Sequence, residues 1–232
     1  MKLLAIDTAT EACSVALHVD GQILADHVVA GRSHTERLMP MVYALLAQAG
    51  LSITQLDGYV CGIGPGSFAG VRIGVGYVKG LALAHERPVA PVSSLATLAL
   101  PPLRSGAARV LAAIDARLDE VYLGVFAADA DGLPQTLRAE TVCAPQAAPA
   151  LEAGEWIAVG SGWGRYADAL RAATGVQPSA VDAAALPRAD DALAIGLACL
   201  RAGRGIGADA LAPAYLRNKV ALTLEEQRAR RS

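Results

Sequence analysis

At 232 residues the chain can bury a substantial core, as one large domain or as two smaller lobes. Hydrophobic residues make up 53% and charged residues 18%, yet Asp, Glu or Arg interrupts each long apolar stretch before the roughly 18 residues a membrane span needs. A formal net charge of -2 gives no global attraction for polyanions, so RNA binding by this chain unaided is disfavoured and a partner would have to supply the positive surface.

The N-terminus has one basic residue, and Asp7 cuts its apolar run short, so it reads as a first core strand and not as a secretory signal. Cys13, Cys61, Cys143 and Cys199 are scattered, without a CxxC pair or Cys/His spacing for zinc. Reduced thiols in a cytoplasmic protein are therefore expected.

In chain order, Leu3 to Asp7 is a short apolar strand and Cys13 to Val19 alternates as a second. Asp20-Gly21 then turns a hairpin into Gln22 to Val29. Ser33 and Glu36 have capping-box spacing, and Leu38, Met41, Val42, Leu45 and Leu46 follow at helical period until Gly50. Leu56 to Ile63 is a third apolar run, Val71 to His85 a second helix and Pro88 to Val92 a further strand. This alternation predicts a mixed sheet with helices on a face. Pro101-Pro102, followed by Ser105-Gly106, marks the expected lobe boundary, giving residues 1–104 and 105–232 as two lobes.

The second half reopens with strands at Arg109 to Asp115, Val121 to Ala127 and Leu133 to Val142, so the halves share an opening logic. Ala144 to Ala153 and Thr174 to Leu186 are weakly patterned, Trp156 to Val159 is a strand, and Asp190 to Ala202 is helical. The 190–203 helix is a candidate to pack back on the first lobe. Glu225 to Ser232 reads as a charged, frayed end, and Arg228, Arg230 and Arg231 on it as solvated.

Three constellations could carry chemistry. Gly62 to Arg72 places glycines between a strand and a helix, which suits an anion cradle or a tight structural turn equally well. It lacks the GKS or GKT of a P-loop and the position of a dinucleotide fingerprint. Asp7-Thr8-Ala9-Thr10 ends the first strand, where a carboxylate can meet metal and phosphate or simply cap a turn. Asp115, Arg117, Asp119 and Glu120 read as a solvated or salt-bridged turn in preference to an acidic site.

His34 has leucine four positions on, so no helical metal pair forms there, and no GxSxG elbow or Ser/His/Asp set can be assembled. The first helix is apolar nearly all round, because Met39, Tyr43 and Ala47 lie off its main stripe. The second carries Gly70, Gly74, Gly76 and Gly80, each costing roughly 1 kcal/mol of helix stability but admitting a close neighbour. Together they suggest a subunit interface; the competing reading, ordinary packing against the chain's own sheet, explains one face of each helix.

LLAIDTAT with CSVAL, SHTERLMP, GPGSFAGVRIG, IDARLDEVY and PAYLRNKVA occur in that order, and the chain thereby resembles the TsaB (YeaZ-like) family from Met1 to about Ala221. The resemblance implies an α/β, actin-like ASKHA (ribonuclease H-like) fold of two related lobes with mixed sheets. It also implies a non-catalytic partner subunit that homodimerises and pairs with TsaD, its catalytic paralogue. With the ATPase TsaE, the pair delivers a threonylcarbamoyl group made by TsaC to the adenosine next to the anticodon, in tRNAs reading codons that start with A.

Where TsaD-like chains carry a metal-binding HxxxH, this sequence has Ser94 and Leu98. Leucine ligates no metal, so no catalytic or metal site is expected here, and TsaD supplies the metal. The implied pairing surface is the two-helix face, taken as Leu38, Met41, Val42, Leu45, Gly70, Arg72, Gly74, Tyr77, Val78 and Leu81. The candidate nucleotide contacts are Asp7, Thr8, Thr10, Gly64, Gly66 and Ser67, with ATP or ADP at the interface of the complex. The competing reading is an autonomous ASKHA ATPase or phosphotransferase using Asp7. A peptidase is disfavoured for want of a nucleophile and base.

Overall fold

The structure, a computed structural model, describes residues 1–31 and 33–217. The charged end at 225–232, with Arg228, Arg230 and Arg231, lies outside the described residues, as does the end of the last motif from Asn218.

Strands β1 (Lys2–Asp7), β2 (Ala12–Val19) and β3 (Gln22–Val29) form the predicted meander, with Asp20 and Gly21 at positive φ in its turn. Helix α1 (His34–Gln48), β4 (Gly58–Gly62), α2 (Phe68–His85) and β5 (Val89–Val92) follow. The sheet runs β3-β2-β1-β4-β5, antiparallel through the meander and parallel from β1 to β5. After α3 (Ser94–Arg104), the second half repeats the plan with β6 (Arg109–Arg117), β7 (Glu120–Ala128), β8 (Pro134–Cys143), β9 (Ile157–Val159), α4 (Ser161–Thr174), β10 (Ala180–Asp182) and α5 (Ala189–Arg201). Its order, β8-β7-β6-β9-β10, is the first order over again. The fold is thus α/β, with two related mixed sheets and flanking helices.

Each sheet is covered on both faces, which is why β1, β4 and β6 read as nearly continuous apolar runs. On the first sheet, α1 and α2 bury Leu38, Val42, Leu45, Val71, Val75 and Val78 against Leu4, Ile6, Val15 and Leu17. Its other face receives α5, whose Ala189, Ala192 and Leu193 meet Ala5, Ala16 and Val60. Gly196 lets that helix lie so close that an added methyl would stand 2.4 Å from Val60 Cγ2. Helix α3 crosses the other way, packing Leu95, Leu98 and Leu103 on Val110, Ile114 and Phe126 of the second sheet. Each half therefore lends a helix to the other half's sheet.

Two local readings differ from the structure. Pro101 and Pro102 do not break the chain but lie inside α3. The helix survives because Leu95, Leu98, Ala99 and Leu103 bury one face, and tertiary packing outweighs the proline penalty. Gly160-Ser161-Gly162 ends β9 and opens α4, whose Trp163 is buried and donates Nε1–H to Leu111 O at 3.1 Å. Ser33 precedes α1 as expected, but its hydroxyl turns back to Ala30 O at 2.8 Å and makes no capping bond.

Candidate functional site

The two loops singled out in the sequence meet at the carboxyl ends of β1 and β4. Ser67 caps α2, its Oγ accepting from Gly70 N at 3.3 Å, and Ser67 N donates to Ala9 O at 2.6 Å. Thr8 Oγ1 donates to Gly70 O at 2.7 Å. The glycines serve this contact: a methyl added at Gly66 would stand 2.1 Å from Ala9 O, and one at Gly70 2.2 Å from Thr8 O. Gly74 meets Thr8 Oγ1 in the same way, at 2.6 Å. Of the two roles open in the sequence, close backbone packing is the one these glycines perform.

Asp7 is sealed beneath that contact at 1% exposure. Its Oδ1 accepts Ala9 N at 2.8 Å, while Oδ2 has no partner among the described residues. Burial pushes the carboxyl up from 3.8 to about 6. The folded state then binds more protons than the unfolded chain between those values, so stability is present below that window and is lost as pH rises through it, by roughly 3 kcal/mol. Asp7→Asn is expected to remove that loss and to make the protein about 2 kcal/mol more stable than the parent at pH 7.5, with little difference at pH 4. Urea unfolding at both pH values checks this; equal destabilisation at both would contradict it.

Between the halves lies a cleft of about 840 Å³ lined by Thr10, His34, Ser67, Arg72, Asp115 and Arg117. Thr10, Gly66 and Ser67 reach it, whereas Asp7, Thr8 and Gly64 do not. A nucleotide there would meet Ser67, Arg72 and Arg117 but not the Asp7 carboxylate, and Asp115, a carboxylate that does line the cleft, is already held by Arg117 and Arg165.

Pro213–Arg217 closes one side of the cleft, a role with no periodic signal in the sequence. Ala214 N donates to Ile63 O at 2.8 Å, and the Arg72 guanidinium lies 3.3 Å from the Phe68 ring centroid and 5.0 Å from that of Tyr215. Arg217 reaches across with Nη2 to Glu120 Oε2 at 2.5 Å and to Ala116 O at 3.0 Å. The turn it grips holds Arg117, Leu118 and Asp119 in consecutive left-handed conformations, and Asp115 ties the turn to Arg117 at 3.2 Å and Arg165 at 3.3 Å. The Asp115 to Glu120 cluster is thus a salt-bridged turn. Arg217→Ala is expected to cost about 1–2 kcal/mol and to speed amide exchange in that turn. Unchanged exchange at residues 117–119 would contradict the clamp.

The two-helix face needs a correction in detail. Leu38, Met41, Val42, Leu45, Gly70, Gly74 and Val78 are buried in the chain's own core, pointed at the sheet by the very stripe that made them conspicuous, and are not available to a partner. Arg72 belongs to the cleft rim. Tyr77 and Leu81 are half-buried. The outward face carries the residues off the stripe: Met39 at 47% exposure, Tyr43 at 53% and Leu83 at 65%. Gly76 and Gly80 have open space where a side chain would stand. Burial raises the Tyr77 hydroxyl, and the nearby Tyr43 adds to the shift. Ser94 and Leu98 are core positions of α3.

Residues 28–221 match the family model of TsaD, tRNA N6-adenosine threonylcarbamoyltransferase. The chain is 43% identical to the tRNA threonylcarbamoyladenosine biosynthesis protein TsaB of Escherichia coli (strain K12), over 95% of this chain and 96% of that one. It belongs to the TsaB family. The TsaB of Haemophilus influenzae is 40% identical over 72% of this chain and 74% of its own. A solved structure of YeaZ from Pseudomonas aeruginosa superposes with a TM-score of 0.86 at 44% identity, covering 93% of this chain and 99% of that one. This chain matches the TsaD model while carrying Ser94 and Leu98 where the resemblance set out in the sequence implies the TsaD-like histidines.

Proposed function

We propose that this chain is the non-catalytic partner subunit of the cytoplasmic complex that attaches a threonylcarbamoyl group to the adenosine next to the anticodon, in tRNAs reading codons that start with A. It homodimerises when alone and pairs with TsaD in the working complex, with TsaE joining. TsaD supplies the metal, ATP or ADP binds at the complex interface, and tRNA is met through the assembly.

The observation that carries the reading is the outward face of α1 and α2, where Met39 and Tyr43 are exposed on the first helix and Leu83, with the open Gly76 and Gly80, on the second. A face of exposed large apolar side chains beside glycines admits a second helix pair at short distance. The buried Leu98 and the sealed Asp7 support a non-catalytic role, since the first ligates no metal and the second cannot reach the cleft.

Reconstitution of tRNA modification from TsaC, TsaD and TsaE, with and without this chain, tests the proposal. Modification is expected only with the chain present and is expected to survive Asp7→Asn. The 840 Å³ cleft favours one other reading, an autonomous ATPase. ATP turnover by the isolated chain would support that reading and count against the one proposed.

A further inference from the structure

The two halves hold one another less than a shared cleft would suggest. Among the described residues no hydrogen bond or ion pair joins residues 1–92 directly to residues 105–182, and no apolar core cluster draws on both. Everything that joins them runs through α3, α5 or the segment after α5.

Helices α3 and α5 pack on one another and cross between the halves. The cap of α3, Ser93, donates its hydroxyl to the Glu140 carboxylate on β8, and the helix lies on the second sheet. The first amide of α5, Ala189 N, donates to Ser14 Oγ on β2 at 2.9 Å, and that helix lies on the first sheet. Neither helix lines the interlobe cleft, so this joint stands away from the cleft mouth.

The segment after α5 makes the second link. Residues 203–215 are held by the first half: Val89 and Ile206 exchange backbone hydrogen bonds at 2.8 and 2.9 Å, Lys79 Nζ donates to the Asp209 and Leu211 carbonyls at 3.3 Å, and Leu211 is buried in the first core. Arg217 then crosses to the second half. Its Nε and Nη2 both donate to Glu120 Oε2, and Nη2 also donates to the Ala116 and Arg117 carbonyls. With its side chain 16% exposed, this is a largely desolvated charged contact and not an open surface pair.

A joint on one side and a single side-chain tie across the mouth make a hinge with a latch. We propose that Arg217 is that latch: seated on Glu120 it fixes the width of the cleft, and when released it lets the halves turn about the crossing of α3 and α5. Pro213–Arg217 then swings off the cleft wall from Leu211. Two observations fit a tie that can let go. Between Leu211 and Arg217 the strap is held only by Ala214 N on Ile63 O and by Tyr215, 57% exposed, against Arg72. The turn that Arg217 grips keeps Arg117, Leu118 and Asp119 in consecutive left-handed conformations, which are unfavourable for residues with side chains and would relax on release.

The test combines spin-label distances with native-state amide exchange on the full chain, as parent, Glu120→Gln and Arg217→Ala. Labels are carried on p-acetylphenylalanine at Glu11 and Asp168, exposed residues of the first and second halves, and excess unlabelled chain suppresses distances between copies. Both variants are expected to give a broader distribution that extends to longer distances than the parent's. They should also speed exchange of the Ala214 amide by about tenfold or more, the ratio that a lost charge-assisted hydrogen bond carries.

A purely structural tie would slow exchange as well, so the parent supplies the deciding comparison. Its Ala214 amide is expected to exchange by a local opening that dilute urea barely alters, whereas the Ile206 amide, bonded to Val89, follows urea as global unfolding does. Salt should move the parent's distances toward those of Arg217→Ala and leave that variant's unchanged. Distances unchanged in both variants, or one urea slope shared by Ala214 and Ile206, would overturn the latch.

Discussion

Tyr43→Arg is expected to break self-association and pairing with TsaD while leaving the fold intact. Tyr43 is 53% exposed on α1, so the substitution removes nothing from the chain's core. At a paired face it would bury an uncompensated charge in place of an aromatic anchor. Losses of that kind run to about 2–4 kcal/mol, or roughly 30- to 1000-fold in dissociation constant. Gly76→Arg should act in the same direction, since a side chain there enters open space in the isolated chain. Sedimentation equilibrium of each variant against the parent reads the change, and thermal midpoints confirm the fold. Gly74→Arg does not substitute for them: Gly74 abuts Thr8, and its replacement damages the chain itself.

Gly70→Ala is expected to cost about 3 kcal/mol of stability, because its methyl would fall 2.2 Å from Thr8 O and backbone lies on both sides of the contact. Gly80→Ala, in the same helix, has nothing within 4 Å of the added methyl. It is expected to gain about 0.5–1 kcal/mol through helix propensity alone. Chemical denaturation of the two single variants gives opposite signs if the glycines of α2 divide into a packed set and an open set. Equal effects at both positions would show that the loop from Gly64 to Gly70 can move away from β1, as an anion cradle would require.

The hairpin, α1, α2 and the repeated opening of the second half were legible because their signals are local: alternation, a 3.6-residue stripe, and Asp20-Gly21 at a turn. Helices α3 and α4 were not. Pro101-Pro102 and the glycines of 160–164 are breakers by any local rule, and what overrides them is a buried face formed against strands of distant sequence. The short exposed strand β10 has no pattern of its own and forms by pairing with β9.

The candidate site divides along the same line. Glycines between a strand and a helix are equally suited to an anion and to a neighbouring backbone, and only the position of Thr8 and Ala9 against them decides between the two. In α1, the stripe that announces a helix also announces its buried side, so Leu38, Met41, Val42 and Leu45 were conspicuous for the wrong reason as partner contacts. Met39 and Tyr43, off that stripe, are the large apolar residues that α1 leaves exposed. The Arg217 clamp joins residues 97 positions apart and leaves no trace in local pattern.

Pairing through the outward face of α1 and α2 is tested most directly by light scattering after size exclusion, on this chain alone and then mixed with TsaD. A homodimer that converts to a mixed complex, with Tyr43→Arg monomeric in both samples, is the predicted result. A chain that stays monomeric and ignores TsaD, or a Tyr43→Arg variant that pairs as well as the parent, would contradict it.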